Sequence, residues 1–464
     1  MKPRNPLLAV ALMGALALLG DLAAPLALHA QDGTPEQRYW DWAELDFAPE
    51  EYQARRARLV EELRALDAEA VLLIPSAQGT SHGPTFRQLD DFHYWTGLEL
   101  PASMLVVDAR SGTAAVYAPA RDPRFENPGR VNDFPGRPLA DDPGIAARTG
   151  LEIRDAARLE ARIGEWAATR TLRVNLGGLT ASAADVRLDL TPDLTPEELL
   201  VLALKERAPE VRIENAFAAV ARVRAVKSPA EIDIIRRVAR LTEDAIRQAA
   251  TQVRPGVDER ALEGWFELGC KEAGAQAIPF HPIVKSGPNS LWAWRILASH
   301  YDRRNRSMVE GDLVIFDVGC ELDHYVSDVG RTFPISGSFS PEQARALAMQ
   351  RRVADAIIAA IRPGITLADA TRAGVAAMPP EARPYMQTGS FYSHHLGLST
   401  GDPVLTDEPL EAGMVFTVEP WYYNHDAGIS VFVEDMILVT EDGAEVLTSS
   451  LPRTAEGLAG MVGG

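Results

Sequence analysis

The sequence predicts an α/β (α+β) protein of two domains, the second built from two similar halves. Three observations carry this. At 464 residues the chain exceeds the size at which one hydrophobic core stops growing. From about residue 41 to 210, helical and strand-like patterns alternate. From about 215 onward, one succession of helix, break and helix occurs twice.

The first thirty residues stand apart. Lys2 and Arg4 precede the apolar run LLAVALMGALALLG, and a small-residue stretch ends at Ala30. The run is too short to span a bilayer and has the layout of a secretory signal, so residues 1–30 are expected to be removed on export to the periplasm or the cell exterior. An N-terminal anchor is the competing reading; Asp21 and the lack of a second apolar run argue against it. The net charge of -19 disfavours nucleic acid and anionic membranes as partners. The two cysteines, Cys270 and Cys320, lie fifty positions apart without metal or redox spacing, and read as free, buried thiols, with a disulfide in an exported chain as the alternative.

In the first domain, 41–212, EEYQARRARLVEELRAL has helical periodicity, AVLLIP and SMLVVDA read as buried strands, and FENPGRVNDFPGRPLADDPG reads as surface loop. His82 and His93 stand apart from other ligand types and read as packing or surface residues. The second domain, 215–455, holds the repeat. SPAEIDIIRRVARLTEDAI leads to RPGVDERALEGW, and SPEQARALAMQRRVADAIIAAI leads to RPGITLADATRAG; Pro255 and Pro363 are 108 positions apart.

Each half then runs into a hairpin bearing two acids. In GDLVIFDVGCELDHYVSDVGRTF, a turn centred between Leu322 and Asp323 sets Asp317 opposite Asp328. In GMVFTVEPWYYNHDAGISVFVEDMILVT, the loop His425–Gly428 sets Glu419 opposite Glu434. Like charges facing each other across a ladder destabilise a sheet, so something positive must neutralise them. Arg331 is the obvious local base. Two divalent ions about 4 Å apart, bridged by carboxylates, do this better and form a recurrent hydrolytic centre. Such oxygen-rich ligation suits Mn, Co, Fe or Zn, and His394 or His395 would supply the imidazole.

The combination FDVG…SDVGRTFP, SHHLGL, TVEP and VED resembles the Xaa-Pro aminopeptidase and prolidase family, which shares the pita-bread fold with creatinase and methionine aminopeptidase. RRARLVEELRAL, FRQLDDFHYWTGLELPAS and RAVKSPAEIDIIRRVA resemble the N-terminal creatinase-like domain and first catalytic helix of the aminopeptidase P branch. The resemblance implies that Asp317, Asp328, His394, Glu419 and Glu434 hold two metal ions. It selects His394 because the family's histidine lies three positions before the glycine of His-x-Leu-Gly-Leu, and it places His300 as a substrate-facing histidine. The implied chemistry is metal-assisted hydrolysis of the bond before proline, with Glu419 as general base and later acid.

Three positions depart from the family's pattern. Ser390 and Gly401 stand where it has histidines, and Phe432 where it has an arginine. Taking His395 as the ligand instead gives Phe391 and Asp402, so neither register restores them. The loop residue His425 reads as a plain turn histidine, with entry into the site as the alternative. The expectation is an exported, manganese-dependent Xaa-Pro aminopeptidase acting on peptide substrates, with a homodimer left open. The alternatives are a prolidase-type dipeptidase and a metal-binding relative with lost or altered catalysis; a creatinase-like enzyme without metal fits less well, since all five ligands are present.

Overall fold

The computed structural model describes residues 45–78, 86–119, 145–189, 193–291, 305–386 and 391–463. Residues 1–30, His82, His300 and Ser390 lie outside the described residues. Among the described residues no helix is long and apolar enough to cross a membrane.

The first sheet contains β1 (Val71–Pro75), β2 (Met104–Asp108), β3 (Thr113–Ala118), β4 (Glu152–Asp155), β5 (Leu172–Val174) and β6 (Ile213–Asn215), in the order β4-β3-β2-β1-β5-β6. Strands β1 to β3 pair antiparallel, and the outer pairs β3–β4, β1–β5 and β5–β6 are parallel. All five residues of β1 are buried, as expected for an apolar run at the centre of a covered sheet. One core forms where Val71 and Leu73 meet Val106, Tyr117, Trp166 and Leu204. The helix Pro49–Leu66 is the one read from EEYQARRARLVEELRAL.

The repeat is present as built structure. Helices Pro229–Ala250 and Pro341–Ala360 both start with a capping box, Ser228 with Glu231 and Ser340 with Gln343, and both carry proline in the first turn. Each Arg-Pro-Gly break turns on a left-handed glycine, Gly256 (φ +83°) and Gly364 (φ +88°), before the second helix, Glu259–Glu272 or Leu367–Ala377.

The first half then forms β7 (Ile283–Ser286), β8 (Leu313–Val318) and β11 (Val329–Pro334), ordered β11-β8-β7, with the short hairpin β9 (Glu321–Leu322) and β10 (Tyr325–Val326) between β8 and β11. The second forms β12 (Phe391–Tyr392), β13 (Val415–Asn424), β14 (Ile429–Phe432), β15 (Asp435–Val439) and β16 (Ala444–Val446), with β14 and β15 both on β13. The halves meet where Gly330 and Glu434 exchange backbone hydrogen bonds. Beside this bridge the Thr332 hydroxyl donates to the Phe432 carbonyl at 2.7 Å and accepts from its N–H at 2.8 Å.

Two expectations need correction. Cys270 and Cys320 are joined, with sulfurs 1.95 Å and Cα atoms 5.8 Å apart, because the helix carrying Cys270 packs its buried face against the break after β8. The first hairpin is also shifted by two positions: Asp317 pairs with Gly330 rather than Asp328. Its turn is Asp323-His324, both with positive φ (49° and 66°), so the strands fold one residue later than the sequence suggests. The second hairpin has the expected register: Trp421 faces Phe432, Val418 faces Asp435, and His425 to Gly428 form the exposed loop.

Candidate metal centre

Breaks in regular pairing place two of the acids, Asp328 and Glu434. Asp317 is near the end of β8, and Asp328 occupies the gap between β10 and β11. Glu419 is in the middle of β13, while Glu434 sits between β14 and β15, where its backbone leaves β13 for Gly330. His394 follows β12 and is held by two bonds to one residue: its N–H donates to the Thr417 hydroxyl at 3.3 Å, and its carbonyl accepts from the Thr417 N–H at 3.0 Å.

These elements converge. One ligand-capable atom from each of Asp328, His394 and Glu434 falls within 4.8 Å of the others. His394 Nε2 is 3.5 Å from Asp328 Oδ2 and 3.3 Å from Glu419 Oε1. Thr417 Oγ1 and Trp421 Nε1 donate to the two oxygens of Glu419 at 3.2 and 3.3 Å, which fixes its plane. Asp317 is close enough for its charge to act on both His394 and Glu434.

The electrostatics of the site favour a bound cation. Burial, reinforced by the charges of Asp328, Glu419 and Asp317, pushes the Glu434 carboxyl well above the usual range. Its Oε2 is buried without a hydrogen bond. At His394, burial favours the neutral ring, but the Glu419 hydrogen bond and charge outweigh it and raise the pKa. Arg331 does not supply the balancing charge. It is fully buried and donates to the Glu434 carbonyl and, at 2.7 Å, to Asp435 Oδ1, so its guanidinium serves Asp435. Four carboxylates, one imidazole and an orphaned buried oxygen fit a pair of divalent ions.

His395 has the other role. It is buried beside Phe416, with ring centroids 5.5 Å apart, and burial with the nearby Lys227 ammonium pushes its pKa down to about 3. The loop after it is tied down by Asp402, which accepts from Arg224 at 2.5 Å and from Lys227 at 2.9 Å. Arg224 also donates to Asp91 at 2.6 Å, and Arg87 to the Leu398 carbonyl at 2.8 Å. No short-range spacing marks this network, since its cations and acids come from three separate segments.

Comparison with known proteins places this geometry. The profile of metallopeptidase family M24 matches residues 233–441, which contain all five converging side chains. Residues 233–441 form a domain of metallopeptidase family M24. The profile "Aminopeptidase P, N-terminal domain" matches residues 52–127. Xaa-Pro aminopeptidase of Escherichia coli K12 is 28% identical over 461 residues, covering 90% of this chain and 98% of that one. Intermediate cleaving peptidase 55, mitochondrial, of Arabidopsis thaliana is 28% identical over 430 residues, covering 87% and 81%. Among solved structures, aminopeptidase P from E. coli with the inhibitor Pro-Leu superposes with a TM-score of 0.71 at 24% identity, covering 89% and 98%, and shares the two-part pita-bread fold.

Within this M24 domain the departures from the family's pattern have structural consequences. Phe432 is fully buried and stacks on Trp421 with ring centroids 3.4 Å apart and planes 12° from parallel. Trp421 in turn stacks on Tyr423 at 5.5 Å. Gly330 makes room for this stack: a Cβ there would meet the Phe432 ring at 2.1 Å. An apolar ring therefore occupies the place of a guanidinium, next to Glu434. Gly401 lines one cavity with His394, and a Cβ on it would meet open space.

Proposed function

We propose that this chain is an exported Xaa-Pro aminopeptidase that holds two divalent metal ions, manganese foremost and cobalt, zinc or iron as the other candidates. The observation that carries the reading is the convergence of Asp328, His394 and Glu434 within 4.8 Å, with Glu419 3.3 Å from the imidazole. Asp317, Asp328, His394, Glu419 and Glu434 are the proposed ligands. Bound divalent ions would acidify a water and polarise the scissile carbonyl.

The chain's own residues set up the rest. Glu419, oriented by Thr417 and Trp421, takes the proton of the attacking water and returns it to the departing nitrogen. Proline suits this site because an Xaa-Pro bond is a tertiary amide with no N–H to recognise. The acidic cluster attracts the free α-amine of the residue before proline, which directs cleavage to the chain end. With Phe432 stacked on Trp421, no guanidinium stands at that position to pair with a substrate carboxylate. His300 and Ser390 are assigned to the substrate side on the family's pattern alone. Support for export comes from the layout of residues 1–30 and from the Cys270–Cys320 disulfide, a bond typical of oxidising compartments.

A length series of Xaa-Pro peptides, assayed with Mn²⁺ or Co²⁺, tests the reading. Release of the first residue from tripeptides and longer peptides is expected. Cleavage of dipeptides alone would make the chain a prolidase-type enzyme, and stoichiometric metal without cleavage would make it a binding relative.

A further inference from the structure

His93, at the sequence level an isolated packing residue, is indeed buried, but it is not isolated. Its ring stacks on that of His324 with centroids 3.8 Å apart, and His324 comes from the turn between β9 and β10 in the other domain. One ligand-capable atom each from His93, Glu99 and His324 falls within 4.8 Å of the others. Asp46 joins them, its Oδ2 3.2 Å from His93 Nε2. We propose that Asp46, His93, Glu99 and His324 form a further metal site, separate from the five-residue centre, for one divalent transition ion of the zinc type.

Several observations point to a cation here. His93 is 3% exposed, its Nδ1 has no hydrogen-bond partner, and its Nε2 faces Asp46 Oδ2. A buried ring nitrogen left without a partner is costly. The 3.2 Å between His93 Nε2 and Asp46 Oδ2 also matches the spacing of about 3.3 Å between two ligands of a tetrahedral ion with bonds of about 2.0 Å. His324 Nε2 is in contact with Glu99 Oε1, while its Nδ1 is buried without a partner. Two neutral imidazoles and two carboxylates carry a formal charge of about −2, which one divalent ion cancels. Two stacked imidazolium rings would repel instead. A mixed nitrogen and oxygen donor set of four suits zinc, cobalt, nickel or copper.

The ligands also explain a strained turn. Asp323 and His324 both adopt the left-handed conformation that side chains with a Cβ rarely take. An ion gripping His324 fixes that turn, four residues before Asp328, and clamps it to the segment that carries Asp46, His93 and Glu99.

Metal content of the full chain tests the site without reference to activity. Protein is loaded with Zn²⁺, freed of excess by gel filtration and analysed by plasma mass spectrometry. In an Asp328→Asn/Glu434→Asn background about one equivalent of zinc should remain, and adding His324→Asn should remove it; asparagine tolerates the left-handed turn, so the backbone is kept. In the otherwise native chain, His324→Asn and Glu99→Gln should each lower the count by one equivalent, an arm that decides the matter if the double variant does not fold. Zinc content unchanged by His324→Asn, or no zinc left in the folded Asp328→Asn/Glu434→Asn protein, overturns the proposal.

Discussion

In the first half of the catalytic domain, Asp317 ends a strand and Asp328 sits in a gap between two strands, with Cys320 anchoring the opposite side of that gap to a helix. In the second half, Glu419 is inside the long strand β13 and Glu434 reaches the site because its backbone crosses to Gly330. The same succession of helices thus ends in two different devices. One break is stapled covalently; the other is held by hydrogen bonds across the seam between the halves. Each frees one acid of its pair, Asp328 or Glu434, from a continuous ladder, in which a regular strand fixes every second side chain to one face. The lesson is that the centre depends on interrupted pairing, and that the two interruptions should respond to different perturbations.

The largest effect should be common to both halves. Asp328→Ala and Glu434→Ala should each reduce kcat/KM by on the order of a thousandfold and release metal, read by peptide hydrolysis and by metal analysis. A large loss for one and not the other would show that the halves do not contribute equally.

The next effect separates them. Replacing both Cys270 and Cys320 by serine removes a cross-link that closes a loop of 50 residues, worth up to about 4 kcal/mol by chain entropy. The melting temperature should fall, and dithiothreitol should lower that of the native chain while leaving the serine variant unchanged. A variant that melts with the native chain would remove the staple from the account of the first half.

A smaller effect belongs to the seam. Gly330→Ala puts a methyl against the Phe432 ring and should cost about 1–3 kcal/mol in denaturant unfolding. Phe432→Leu should recover part of that cost in the double variant, as expected for side chains in contact. Additive losses would mean that the two positions do not touch.

The smallest effect concerns the loop after His394 and depends on pH. Burial alone would raise the Asp402 pKa, but Arg224 and Lys227 outweigh it and hold the carboxyl below its ordinary value of 3.8. A depressed folded pKa means that the stabilisation is complete above the unfolded value and is lost as pH falls below it toward the folded one. The stability gap between the native chain and Asp402→Asn should therefore be full at pH 6 and smaller at pH 3, measured by urea unfolding at both. A gap that is flat or grows toward pH 3 would contradict the ion-pair assignment.

How far the sequence revealed these features follows from their physics. The repeated helices were legible because Ser-Pro starts and Arg-Pro-Gly breaks act locally, through caps and left-handed glycines. The second hairpin was legible because its loop ends on Gly428, at φ +65°, which fixes the turn. The first was misplaced by two positions because Asp323-His324 carries no glycine, and what supports that turn is contact with Gln276 and Glu99, far away in the chain. The same distance hid the disulfide and the meeting of His93 with His324, since neither has a short-range spacing to betray it. The choice of His394 over His395 came from the family's His-x-Leu-Gly-Leu pattern, not from periodicity.

The central claim is that these five side chains hold two divalent ions. Crystals grown with Mn²⁺ and measured on both sides of the manganese absorption edge test it most directly. The account predicts two anomalous peaks, each within bonding distance of carboxylates from among Asp317, Asp328, Glu419 and Glu434, with His394 on one of them. A site with no peak, or peaks that leave Asp328 and Glu434 uncoordinated, would contradict it.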